Sequence, residues 1–157
     1  MNINEKRFDR RQLLKAASGL GLAAISTALM PTMAFAAWNK GAFEAKGMSD
    51  AFSALGAGSP SNSSDVQIVA SDIAENGAVV PVTAISKLPN TEQISILVEK
   101  NPSALAALFN LTSDVVPEVT TRIKMGQTSN VTVLVKAGGK YYSATKEIKV
   151  TLGGCGG

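Results

Sequence analysis

The chain has 157 residues with one cysteine, no histidine and a formal charge of +3. Without histidine, the Ser-His and Cys-His nucleophile pairs, the usual zinc sites and the commonest general base are excluded together. A single cysteine also excludes any internal disulfide.

The chain opens on a charged stretch, Met1–Lys15, that contains Arg10-Arg11-Gln12-Leu13-Leu14-Lys15. A modest apolar run, Ala16–Met30, and the small-x-small triplet Ala34-Phe35-Ala36 follow it. These are the n-region, h-region and cleavage site of an export signal over residues 1–36, and the apolar run is too short and too weak to span a membrane. Arg10 and Arg11 followed by two leucines resemble a twin-arginine signal, an address read by a receptor, which predicts a periplasmic protein. The leader carries five of the 15 basic and two of the 12 acidic residues, so ten of each remain after cleavage. A mature chain with no net charge gives no electrostatic case for nucleic acid or an anionic membrane as partner. About 121 residues then remain, enough for one domain with a real core.

Residues 37–64 form an N-terminal helix and linker. Trp38, Ala42 or Phe43, Ala45, Met48, Phe52 and Leu55 recur at near-helical spacing between Trp38 and Ala57, although Gly41 and Gly47 weaken the pattern. The Gly- and Ser-rich run 56–64 predicts a loose tether behind the helix. From Asp65 the pattern changes to short runs rich in Val, Ile and Thr: Val66–Ala70, Val79–Ile85, Ile94–Glu99, Glu118–Met125, Asn130–Lys136 and Lys140–Leu152. Ala104–Asn110 fits either a helical turn or a seventh strand. Pro81 inside a strand pattern predicts an edge or a bulge. Gly138-Gly139 between two alternating runs predicts a two-residue hairpin. In the last run Tyr142, Ala144, Ile148, Val150 and Leu152 share one face, interrupted by Lys146, as in a half-buried strand. Six or seven such strands within residues 65–152 predict a mainly β fold, an immunoglobulin-like antiparallel sandwich.

Beyond the last strand lies Gly153-Gly154-Cys155-Gly156-Gly157. Four glycines around the only cysteine predict a thin, flexible arm whose thiol reaches about 10 Å past Leu152. No basic side chain or helix N-terminus neighbours Cys155 in sequence, so the thiol starts near the ordinary pKa of about 8.5. Catalysis needs groups preorganised on rigid elements, and a glycine arm is the opposite. The residues therefore describe a carrier of substrate, with no catalytic residue, metal or cofactor of its own. Exposed pairs such as Arg122/Lys124 and Glu92/Glu99 read as solvated strand faces.

A twin-arginine-type leader, a short helix, a small β-sandwich and a terminal Gly-Gly-Cys-Gly-Gly together resemble the SoxY family, sulfur-carrier subunits of the periplasmic thiosulfate-oxidising (Sox) system. Gly153–Gly157 matches the family's carrier motif at every position, and Glu75–Val82 and Lys124–Val131 also resemble family segments. The resemblance implies that Cys155 is the site of covalent substrate attachment and that Gly153, Gly154, Gly156 and Gly157 form the arm. It implies a heterodimer with a SoxZ-like subunit. It further implies a haem-containing enzyme that couples thiosulfate to the thiol, a hydrolase that releases sulfate and, where present, a sulfane dehydrogenase. Two other readings compete with it. A periplasmic structural sandwich dimerised by its tail cysteine would need no metabolic role for the thiol. A ubiquitin-like carrier activated at its terminal carboxylate conflicts with both the export signal and the strand pattern.

Overall fold

The structure, a computed structural model, describes residues 39–151. The export signal with Arg10 and Arg11, Trp38 and the arm 153–157 lie outside the described residues.

The described chain begins with two short helices, α1 (Lys40–Glu44) and α2 (Met48–Leu55), where one continuous helix is predicted. The break falls at Gly47, whose φ of 113° lies outside helical space and is open to glycine. The Asn39 side chain caps α1 by accepting from the Ala42 N–H, and Gly56 closes α2 in the left-handed conformation at φ 73°.

Nine strands follow: β1 (Ser61–Asn62), β2 (Val66–Val69), β3 (Ile73–Ala74), β4 (Val80–Ser86), β5 (Thr91–Val98), β6 (Leu105–Asn110), β7 (Glu118–Ile123), β8 (Ser129–Ala137) and β9 (Lys140–Val150). They form the mainly β, immunoglobulin-like sandwich expected from the sequence. One sheet runs β9-β8-β5-β6, and the other runs β2-β4-β7. These ladders are antiparallel, but β1 and β3 pair with the outer edge of β9 in parallel, which the strand pattern does not predict. The ambiguous segment 104–110 is a strand, because β5 offers it an edge from Gln93 to Leu97. Pro81 pairs with Arg122 of β7, but β2 covers β4 only from Thr83 to Ser86. Pro81 thus occupies a stretch of β4 with a strand neighbour on one side alone, as its missing N–H requires. The Gly138-Gly139 hairpin is also present, with both residues at positive φ (56° and 73°) as a type I′ turn demands. Glu92 of β5 braces it, accepting from the Gly139 N–H at 3.1 Å and pairing with Lys136 at 3.0 Å. Those contacts hold the Glu92 carboxyl below its ordinary pKa, with the Lys136 hydrogen bond as the main cause.

Two apolar clusters hold the layers together. The first fills the space between the sheets and includes Val82, Ile94, Ile96, Met125, Val131, Val133 and Ile148. The second lies on the outer face of the larger sheet, where Leu97, Leu105 and Leu134 meet Ala42, Ala51 and Leu55 of the helices. The Phe43, Met48 and Phe52 stripe packs there too. Two polar contacts pin the helical layer to the sandwich, Tyr141 Oη donating to the Leu55 carbonyl (2.6 Å) and the Ala104 N–H to the Ala45 carbonyl (3.3 Å), while Asn39 Nδ2 joins α1 to α2 at the Ala54 carbonyl (3.0 Å). The segment behind the helices is anchored as well, through β1. The helices are a third layer of the domain, not the loosely held appendage the glycine- and serine-rich linker predicts.

Candidate functional site: the strand end that leads to the glycine arm

Cys155 and its four glycines lie outside the described residues, so the described part of the site is its root, the last residues of β9. The strand is long because it is paired on both sides. β8 accompanies it as far as Ile148, opposite Ser129, and β3 takes over its other edge at Lys149 and Val150. The Lys149 N–H donates to the Asp72 carbonyl at 2.9 Å and the Thr151 N–H to the Ala74 carbonyl at 3.1 Å. Two side-chain hydroxyls complete the grip. Thr128 Oγ1 accepts from the Val150 N–H at 2.9 Å, and Thr151 Oγ1 donates to the Glu75 carbonyl at 3.0 Å.

The loops that supply these partners are joined to each other. The Met125 N–H donates to the Gly77 carbonyl at 2.6 Å, and the Met125 side chain is fully buried. Asn101 bridges the next turn, donating to the Lys124 carbonyl (2.7 Å) and accepting from the Gly126 N–H (3.2 Å). Glu75–Val82 and Lys124–Val131, far apart in sequence, therefore meet at the end of β9.

Lys146, the charge that interrupts the apolar face of β9, serves the same end of the sandwich. Its Nζ donates to the Ala70 carbonyl at 2.5 Å and pairs with Asp72 at 2.8 Å. This hydrogen bond, and then the Lys146 charge, hold the Asp72 carboxyl below its ordinary pKa of 3.8; desolvation opposes them in part, and Lys149 adds a smaller effect in the same direction. A carboxyl whose pKa is lower in the folded state adds stability above its unfolded pKa and loses it as pH falls through the folded value. Asp72→Asn is thus expected to lower the urea midpoint slightly at pH 7, with the difference from the parent smaller at pH 3.8 and lost once the folded-state carboxyl is protonated. Because Asp72 is largely exposed, solvent keeps the effect small. Urea titrations at both pH values check this, and a difference that persists in acid would assign the effect to something other than the ion pair.

Among the described residues there is no cluster of three acidic, histidine or cysteine side chains that could hold a metal, and no helix long and apolar enough to cross a membrane. Two shallow hollows of about 210 and 220 Å³ share Leu88 and Asn90 and lie toward the hairpin end of β9, away from Thr151. Arg122, Lys124, Glu92 and Glu99 are exposed, as the sequence predicts. Sequence reasoning missed Thr128, Thr151 and Asn101. Only Lys146 left a visible signal, as a charge on an otherwise apolar face.

The family model for "Sulfur oxidation protein SoxY" matches residues 52–155, ending on the only cysteine. The chain belongs to the SoxY family. The solved structure of the sulfur carrier protein SoxY from Chlorobium limicola f thiosulfatophilum is similar to it, with 43% identity and a TM-score of 0.58 over 66% of this chain and 96% of that one. Two superoxide reductase (neelaredoxin) structures from Ignicoccus hospitalis align at 16% identity and a TM-score of 0.49, over 54% of this chain and 78% or 79% of theirs. Likeness that distant bears on neither the site nor the function. No curated protein sequence matches. Against the SoxY match, the anchored end of β9 is the last described part of the chain before the family's final matched residue, Cys155.

Proposed function

We propose that the protein is a non-catalytic sulfur carrier in sulfur oxidation and that Cys155 holds the cargo covalently. The observation that carries this reading is the family match running through the sandwich to Cys155, supported by 43% identity to a sulfur carrier over 96% of that protein.

The chemistry follows from a thiol and thiosulfate. The Cys155 thiolate and the outer sulfur of thiosulfate form an S–S bond, giving a cysteine S-thiosulfonate, while two electrons leave to a haem-containing partner and the thiol proton leaves to water. Water then cleaves the bond between the sulfane and sulfonate sulfurs in a hydrolase partner. Sulfate departs and a persulfide remains on Cys155, with no net electron transfer in this step. A sulfane dehydrogenase, where one is present, oxidises the remaining sulfur to the sulfonate level, with three waters supplying the oxygen and six electrons passing to the dehydrogenase's own acceptor. Glycine at 153, 154, 156 and 157 keeps side chains away from the sulfur, so a narrow channel in each enzyme admits it. The working form is a periplasmic heterodimer with a SoxZ-like subunit, exported by the twin-arginine route that Arg10 and Arg11 address.

Intact-mass spectra of the periplasmic protein test this directly. Cells grown on thiosulfate are expected to yield a chain lacking residues 1–36 and carrying reductant-labile thiosulfonate or persulfide mass on Cys155, whereas cells grown without it yield more of the bare thiol. An identical bare mass under both conditions overturns the carrier reading, and a disulfide-linked homodimer alone would replace it with the structural one.

A further inference from the structure

The β8–β9 ladder ends at Ser129 and Ile148, yet β9 stays held for three more residues. On the β8 side the Val150 N–H would be left without a ladder carbonyl, and the Thr128 hydroxyl takes that carbonyl's place at 2.9 Å. On the opposite side β3 and the Glu75 carbonyl hold Thr151 through both its N–H and its hydroxyl. Strand ends fray unless tied down, and this one is tied on both edges. The last tie falls four residues before Cys155, so covalent geometry keeps the two Cα atoms within about 14 Å of each other. Over so short a span, the direction in which the backbone leaves Thr151 decides which volume the thiol can sample.

We propose that Thr128 and Thr151 are positioning residues that aim the chain at its exit from the sandwich and so set how often the Cys155 thiol enters a docked partner's site. The proposal rests on the carrier reading. Once a partner has docked, delivery of the sulfur is an intramolecular event, and its rate scales with the effective concentration of the thiol at the partner's channel. A hydroxyl that fixes the pivot raises that concentration without altering the thiol itself. Loss of the Thr128 acceptor frees the Val150 N–H and leaves the strand end held from the β3 side alone, so the pivot loosens.

The test uses the full mature chain with its partner subunit, thiosulfate and the haem-containing coupling enzyme. Thr128→Val is expected to lower kcat for coupling about tenfold, because misaligned delivery slows the reacting step. KM and the reaction rate of Cys155 with a small aromatic disulfide should stay at the parent's values, and hydrogen exchange at the Val150 amide should quicken. Thr128→Ser, which keeps the hydroxyl, should restore kcat; Thr151→Val should lower it in the same direction. If Thr128→Val fails to fold, Thr151→Val on the exposed edge decides on the same readouts. A kcat within about twofold of the parent alongside faster exchange at Val150 overturns the proposal, since the pivot would be loosened without consequence. If the parent chain itself takes up no sulfur, the carrier reading falls and this proposal falls with it.

Discussion

Replacing Cys155 by serine is expected to abolish thiosulfate-dependent electron transfer in the reconstituted system, to background or at least about a thousandfold down, while leaving the domain folded. The two side chains are close in size, so the change is chemical. A serine hydroxyl stays protonated at neutral pH, and oxygen cannot form the S–S bond that holds the cargo. The chain has no second cysteine to take over. The fold is not expected to notice, because the buried core among the described residues runs from Ala42 to Ile148 and contains no cysteine. The urea midpoint of Cys155→Ser should therefore match the parent's to within the roughly 0.5 kcal/mol of an ordinary surface change. Turnover that survives in Cys155→Ser would place the cargo elsewhere and end the carrier reading. Turnover lost together with the fold would show that the thiol is part of the packing.

A residue whose proposed role is chemical and not structural can be read from the sequence without the fold. Cys155 stands out by composition, being the only cysteine and framed by glycines, and needs no tertiary context to be noticed. Its supports have no such signature. Thr128 and Thr151 act through single hydroxyl hydrogen bonds, which leave no period and no motif, and each looks like any threonine at a strand end. The fold divides along similar lines. β4, β8 and β9 carry enough β-branched residues to be read directly, and the Gly138-Gly139 turn fixes the β8–β9 register. β1 and β3, two residues each, have no pattern of their own and exist because the eleven-residue edge of β9 recruits them.

A different signal bears on the helical layer. Ile94–Val98 and Val131–Val135 are buried without a break. A strand with one face in water alternates between buried and exposed residues, whereas one buried residue after residue is covered on both faces, even where Ser95 and Thr132 stand among its apolar neighbours. These runs therefore indicate a layer outside the larger sheet, and α1 and α2 supply it. The linker's glycines and serines point the other way, but composition reports only what a segment can do when nothing holds it. Tyr141 and the β1 pairing hold it here.

Leu134→Ala measures how much that layer matters. Leu134 lies in the middle of β8, opposite Ser95 of β5 and Ser143 of β9, and is 1% exposed. It belongs to the cluster beneath the helices, not to the cluster between the sheets. If the helices were a loose appendage, the layer could shift to close the space and the cost would be small. Pinned by the Leu55 and Ala45 carbonyls, it cannot collapse fully, and the cavity stays open. Truncating a buried leucine in such a setting costs about 2–5 kcal/mol, the lost transfer of the methyl groups plus the residual void. For a domain of this size that is a large share of the roughly 5–15 kcal/mol available. Urea unfolding should show the midpoint falling with an unchanged slope, as for a change of stability that leaves the denatured state alone. A loss under about 1 kcal/mol would mean that the helices move aside freely and that the sandwich stands without them.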